Sequence, residues 1–275
     1  MNYILLNKEI IKTNKTNLPI TDRGFQFGDG LFETMITKDG NIRFLEDHLE
    51  RISKGLKELQ INVLDDLLTP EYIREQYKTL KKKNGIEGES RIKLIVWRSG
   101  GGLYTPLSKM GHVALLTQEY QQKRETKNLK VDFAETVNVA PTPVSSCKTL
   151  SSLTYTLAGL EKQKRKLDDV ILLNNEGYLA ETISGNLFWV KNKVVFTPKI
   201  SVGCVSGISR KNIIADLESK GYKVKRVFAR KADIIDADAV LTTNVTGVSL
   251  ITQIGEHNYK CLDAWRKVFE TVYHY

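Results

Sequence analysis

The chain has 275 residues, 41% hydrophobic and 27% charged, with a formal net charge of +9. That balance suits a soluble globular enzyme of one large or two small domains, and the apolar runs are too short for any segment to span a bilayer. Three cysteines, Cys147, Cys204 and Cys261, with no C-x-x-C pair, argue against a disulfide framework and a zinc site. Together with a start, MNYILLNKEI, that has neither a basic leader nor a long apolar core, they lead us to expect a reducing cytoplasm. The excess charge lies in runs at Lys81-Lys82-Lys83, Lys123 to Lys130 and Lys162 to Lys166. No aromatic residues interleave them, so they read as solvated helix faces and linkers, and neither a nucleic acid nor a membrane is expected as a partner. An anionic substrate or cofactor explains the bias equally well.

In chain order, LFETMITKDGNIRFLEDH reads as a hairpin turning at Asp39-Gly40, because Asp-Gly supplies the positive φ of a tight turn. LEDHLERISKGLKEL follows with helical periodicity, Leu45, Leu49, Ile52, Leu56 and Leu59 forming one stripe. Glu71 to Lys83 is a second helix, opened by Thr69-Pro70. RIKLIVWR and HVALLTQEY are strands, and the polar stretch Gln121 to Asn128 is the best domain boundary. LKVDFAETV is a strand, followed by a loop with Pro141 and Pro143, and LTYTLAGLEKQKRKL is a helix. A meander comes next: Val170 to Leu173, a turn at Asn174-Asn175-Glu176-Gly177, a strand from Tyr178, and another over Leu187 to Val190. ISRKNIIADLESKG is a helix ending at Gly221; AVLTTN and VSLITQIG are strands, and CLDAWRKVFETVY is a closing helix. Glu181 is the awkward residue, a carboxylate inside a sheet that is costly to bury unless a cation meets it.

Several chemistries find no motif. The four histidines, His48, His112, His257 and His274, are not paired at metal-ligand spacing, so no metal is expected. There is no G-x-S-x-G elbow, Walker loop or G-x-G-x-x-G fingerprint. GDG at Gly28 to Gly30 and GGG at Gly100 to Gly102 read as loops.

The order of short motifs is more informative than any one of them. DRGFQFGDGLFET, HLER, CKTLSSLTYTLA, LLNNEGYLAETISGNLF, TPKISVGCVSGISR and LTTNVTGV follow one another from Leu18 to about Ile251. Together they resemble the class IV aminotransferases, the fold-type IV pyridoxal-phosphate enzymes, which include branched-chain and D-amino-acid aminotransferases and aminodeoxychorismate lyases. The resemblance implies an α+β fold in two domains, a small one over residues 1–120 and a larger one over 121–275 carrying the cofactor lysine, with pyridoxal 5'-phosphate lying between them. It implies Lys148 as the lysine that forms a Schiff base with the cofactor and moves the α-proton. Its neighbours in SSCKTLSSLTYT are uncharged and mostly small, a setting that desolvates an amine. Glu181 is implied to face the pyridine nitrogen and hold it protonated. Arg51 of HLER, the turn Gly207-Ile208-Ser209 at a helix start, and Asn244 are implied to bind the phosphate. A homodimer is implied, since a loop of the second subunit completes the pocket in the family.

Two departures bear on the substrate. Branched-chain members place a tyrosine shortly after the lysine to reach the cofactor's ring hydroxyl; here Ser152 holds the equivalent place and Tyr155 falls about a turn later. The D-amino-acid and lyase branches, which DRGFQFGDG and WRSGGGLYTP look like, carry an arginine in the glycine loop for the substrate carboxylate; here Leu103 stands there. The strand RIKLIVWR alternates, so Arg91 and Lys93 share a face with Ile95 and Trp97; Arg91, whose planar fork matches a carboxylate bidentately, is expected to bind the substrate carboxylate instead, with Lys93 beside it. The expected activity is transfer of an amino group between an amino acid and a 2-oxo acid. The alternative is aminodeoxychorismate lyase, which shares the early chemistry and releases p-aminobenzoate and pyruvate.

Overall fold

The computed structural model describes residues 1–121, 128–259 and 263–274. They build two sheets, each in a unit of its own: Met1–Lys123 with Cys147–Ser151 form the first unit, and Arg124–Ser146 with Ser152–Tyr275 the second.

The first unit contains β1 (Tyr3–Leu6), β2 (Glu9–Lys12), α1 (Arg23–Phe27), β3 (Gly30–Lys38), β4 (Asn41–Ile42), α2 (Leu45–Leu59), α3 (Pro70–Lys83), β5 (Ser90–Arg98) and β6 (Gly111–Glu119). Its sheet is antiparallel throughout, in the order β2-β1-β6-β5-β3-β4. Asp39 and Gly40 join β3 to β4 with positive φ values of 50° and 77°, as the Asp-Gly pair predicts. Leu45, Leu49, Ile52 and Leu56 of α2 are buried against Leu31, Met35, Ile92 and Leu94 of the sheet, each such side chain stabilising the unit by roughly 1.5–3 kcal/mol. Helix α3 starts where Thr69-Pro70 predicts: the Thr69 side chain accepts from the Tyr72 amide at 3.3 Å, and Pro70 fills the first turn.

The second unit contains β7 (Asn128–Phe133), α4 (Leu153–Lys164), β8 (Asp169–Leu173), β9 (Leu179–Thr182), β10 (Asn186–Lys191), β11 (Val194–Pro198), α5 (Ile208–Ser219), β12 (Val224–Val227), α6 (Lys231–Ile235), β13 (Ala239–Asn244), β14 (Gly247–Ile254), β15 (His257–Asn258) and α7 (Asp263–Glu270). Its sheet runs β12-β11-β10-β13-β14-β7-β8-β9, with β15 beside β14. Parallel pairs (β11 with β12, β14 with β7, β7 with β8) occur among antiparallel ones. β9 also pairs with β10, through Glu181 opposite Asn186, so the path from β10 round to β9 closes on itself. In the predicted turn, the Asn174 side chain accepts from the amides of Glu176 and Tyr178, and Gly177 takes a φ of 79°. Helix α5 ends at Ser219, with Gly221 at a φ of 81° just beyond it.

One stretch falls on the other side of the expected division. The segment with Lys148, expected in the second domain, belongs to the first unit. Phe32 donates its amide to the Lys148 carbonyl at 2.8 Å and Leu150 donates to Gly30 at 2.9 Å, so 147–151 is bonded alongside β3. Most of the predicted boundary (residues 122–127), and Cys261 and Leu262 of the predicted closing helix, lie outside the described residues. Among the described residues no helix is long and apolar enough to cross a membrane.

Candidate active site

In the first unit the candidate residues gather along β3. The hydrogen bonds just described fix the backbone at Lys148, and its Nζ lies 5.1 Å from the centroid of the Phe32 ring. Lys93 lies across from Thr34 in the neighbouring strand, and its Nζ is 4.8 Å from the same centroid. The two amines therefore share one aromatic ring, a contact with its negative π-face. Arg91 is also exposed, but it pairs with Ile36 and Gln118. That sets it two residues, about 7 Å, farther along β5. Of the two expected substrate cations, the fold groups only Lys93 with Lys148.

Arg51 projects from α2 into a buried cluster. Glu33 of β3 is 1% exposed and Arg51 8%. Glu33 accepts from Arg51 Nε at 2.7 Å and Nη2 at 2.5 Å, and pairs with His48 Nδ1 at 2.7 Å. Burial alone would raise the Glu33 carboxyl, but Arg51 and the bonds from His48 and Arg51 outweigh it and hold it below its ordinary value. Burial likewise holds His48 below its ordinary value, against the pull of Glu33. The neutral ring donates Nδ1–H to the carboxylate. The Arg51 guanidinium is thus set in a fixed plane by a bidentate partner.

The glycine loop is held by its backbone. Arg23 Nη1 donates to the carbonyls of Gly101, Gly102 and Leu103, while Arg23 and Arg98 both bond Asp29. Leu103, at 78% exposed, and Tyr104, at 92%, project from the loop thus anchored.

In the second unit Glu181 occupies β9 where the sheet closes, and is 4% exposed. The Tyr155 hydroxyl of α4 donates to its Oε1 at 2.7 Å, and the Val205 amide lies 3.2 and 3.3 Å from its two oxygens. The carboxylate thus accepts from a hydroxyl and an amide of its own unit. Of the two residues considered for the ring hydroxyl, Tyr155 has its own hydroxyl engaged with Glu181.

Gly207, Ile208 and Ser209 open the twelve-residue helix α5, whose first amides project from its N-terminus. A Cβ at Gly207 would overlap Asn186 Oδ1, so only glycine lets the backbone approach this closely. Asn186 is held in turn by a bond from its Nδ2 to the Val205 carbonyl. The third expected phosphate residue, Asn244, ends β13, and its side chain closes its own turn. Its Oδ1 accepts from the amide and hydroxyl of Thr246, and its Nδ2 donates to Ser184. Among the described residues no group of three or more His, Cys, Asp and Glu is arranged to hold a metal ion.

Glu33, His48, Tyr155 as a partner of Glu181, and Asn186 were not picked out from the sequence. Glu33 carried a usable signal. It alternates with Leu31 and Met35 on the buried face of a predicted strand, where a carboxylate demands a partner. Asn186 carried none, because its contact with Gly207 depends on how two distant segments meet.

The family model for amino-transferase class IV matches residues 30–254. An aminodeoxychorismate lyase of Vibrio harveyi is 30% identical over 247 residues, covering 87% of this chain and 88% of its own length. A putative branched-chain-amino-acid aminotransferase of Methanocaldococcus jannaschii is 27% identical, covering 87% and 83%. The branched-chain aminotransferase of Thermoproteus uzoniensis, solved with norvaline, superposes with a TM-score of 0.90 at 18% identity, covering 99% of this chain and 93% of that one. The architecture is the fold-type IV aminotransferase fold, and the chain belongs to the class IV aminotransferase family of enzymes.

Proposed function

We propose that the protein is a pyridoxal 5'-phosphate-dependent aminotransferase that moves an amino group between an amino acid and a 2-oxo acid. The observation that carries the reading is Glu181, a carboxylate buried inside a sheet and oriented by bonds from the Tyr155 hydroxyl and the Val205 amide. Such a group suits a protonated ring nitrogen. The other residues fit the cofactor as well: an amine on an aromatic face at Lys148, a helix start at Gly207 where backbone comes close, and an oriented guanidinium at Arg51.

When bound, pyridoxal phosphate supplies an electron-withdrawing ring that stabilises negative charge at the substrate's α-carbon. In this reading Lys148 holds the cofactor through its amine, takes the proton from the α-carbon and returns it. Glu181 accepts from the ring N–H and keeps the proton there. Arg51 and the amides and hydroxyl of Gly207, Ile208 and Ser209 hold the phosphate, with the Asn244 turn contributing through its backbone. Lys93, with Arg91 beyond it, binds the substrate carboxylate in place of the absent loop arginine. The exposed Leu103 and Tyr104 form part of a homodimer interface. Cys147 and Cys204, both buried and outside any disulfide, accord with a cytoplasmic location.

Aminodeoxychorismate lyase is the second reading, favoured by the Vibrio harveyi relative. One pair of assays separates the two: oxo-acid formation from a panel of D- and L-amino acids, and p-aminobenzoate release from aminodeoxychorismate. Amino-group transfer that disappears in Lys148→Ala is the expected result. Robust p-aminobenzoate release without transfer would establish the lyase, and unchanged turnover in Lys148→Ala would remove both.

A further inference from the structure

From this geometry we infer that Tyr155 is the positioning residue of Glu181: its hydroxyl selects one carboxylate oxygen and holds the group ionised and in one orientation toward the cofactor ring. The inference rests on the reading of Glu181 as the partner of the ring nitrogen. The Val205 amide lies almost equally far from both oxygens, at 3.2 and 3.3 Å, and so does not distinguish them. Tyr155 does, through a single 2.7 Å bond to Oε1. A hydroxyl donor to a carboxylate is a short, charge-assisted bond, and it favours the ionised form.

The tyrosine is itself well fixed. It follows Ser152 by one turn of α4, and its ring packs against a buried cluster that includes Val139, Ala158, Leu172 and Ala180. Burial and the charge of Glu181 push its hydroxyl far above its ordinary value, so it acts as a donor and does not exchange its proton with Glu181. Titratable groups facing the pair from the Cys204 loop and α5 include the Cys204 thiol, pushed up to about 12 chiefly by burial, and Arg210 beyond it. The thiol stays neutral across the working range. This arrangement also gives Tyr155 a role other than the ring-hydroxyl contact that its place after Lys148 suggests.

The test uses the full chain with wild type, Tyr155→Phe, Glu181→Gln and the double variant. In cofactor-free protein at neutral pH, Tyr155→Phe should lower the folded-to-unfolded ratio by about tenfold or more when Glu181 is present, but by only a few fold in the Glu181→Gln background. Equal losses in the two backgrounds would mean that the tyrosine merely packs, and would overturn the inference. In loaded protein, the acid limb of the kcat profile of Tyr155→Phe should move up by about one pH unit, since removing the donor raises the proton affinity of Glu181. An unmoved limb would also overturn it. A third readout separates this inference from its parent reading. With ¹⁵N-labelled pyridoxal phosphate, Glu181→Gln should lose the protonated-nitrogen shift. If that shift is lost while the cofactor-free coupling is absent, the inference alone fails; if the shift is unchanged, Glu181 does not serve the ring, and the inference fails together with the parent reading.

Discussion

Replacing Glu33 by glutamine tests the buried cluster that sets Arg51. The substitution keeps shape and one acceptor, but it removes the charge and puts an NH₂ group against donors that meet an oxygen in the wild type. Three bonds converge on the carboxylate, from Arg51 Nε, Arg51 Nη2 and His48 Nδ1, and the residue is 1% exposed. Breaking a buried ion pair by removing one partner costs about 3–5 kcal/mol, because the other charge stays buried without compensation. The amide oxygen of the variant recovers part of one bond, so a loss of about 2–4 kcal/mol is expected. Urea unfolding of the cofactor-free protein, followed by tryptophan fluorescence, measures it, provided each transition is fitted separately if the units unfold apart. The pH dependence gives a second check. The Glu33 carboxyl is held below its ordinary value of 4.5, so its contribution is fully present above 4.5 and is lost as pH falls below that. The gap between wild type and Glu33→Gln should therefore be wide at neutral pH and narrow in acid. His48, held below its ordinary value of 6.5, adds a loss of stability that begins as pH falls through 6.5. A Glu33→Gln protein within about 1 kcal/mol of wild type at neutral pH would refute the argument that this pair is a buried, mutually dependent unit.

Gly207→Ala should weaken pyridoxal phosphate binding, measured by absorbance titration, and cost about 1–3 kcal/mol of stability as the new methyl displaces Asn186; an unchanged dissociation constant would show that the backbone here does not approach the phosphate. Lys93→Ala should raise KM for the amino donor about ten- to a hundredfold with a smaller effect from Arg91→Ala, because only Lys93 shares the Phe32 ring with Lys148; steady-state kinetics showing the reverse order would move the carboxylate site along β5. Glu181→Gln should retain cofactor while losing several orders of magnitude in kcat, and a near-normal rate in stopped-flow assays would reduce Glu181 to a structural residue. Sedimentation should give a dimer at micromolar concentration, shifting toward monomer in Tyr104→Asp; a fully active wild-type monomer would rule out the interface.

Elements whose causes lie within a turn or two of chain are legible in the amino-acid pattern. The Asp39-Gly40 hairpin, the apolar stripe of α2, the Thr69-Pro70 start of α3 and the Asn174 turn each follow from φ preferences, periodicity or a capping side chain. The ordered motifs likewise placed the chain in its family, which the match over residues 30–254 bears out. Which unit carries Lys148 follows from folding alone, because residues 147–151 bond to β3, far away in sequence. Folding also decides the company each charge keeps. Glu33 meets Arg51 and His48, Glu181 meets Tyr155 and Val205, and Lys93 but not Arg91 joins Lys148 at Phe32. Alternation along a strand says which residues share a face. How far each lies from a group on another strand depends on register, and register is set by packing of the whole sheet.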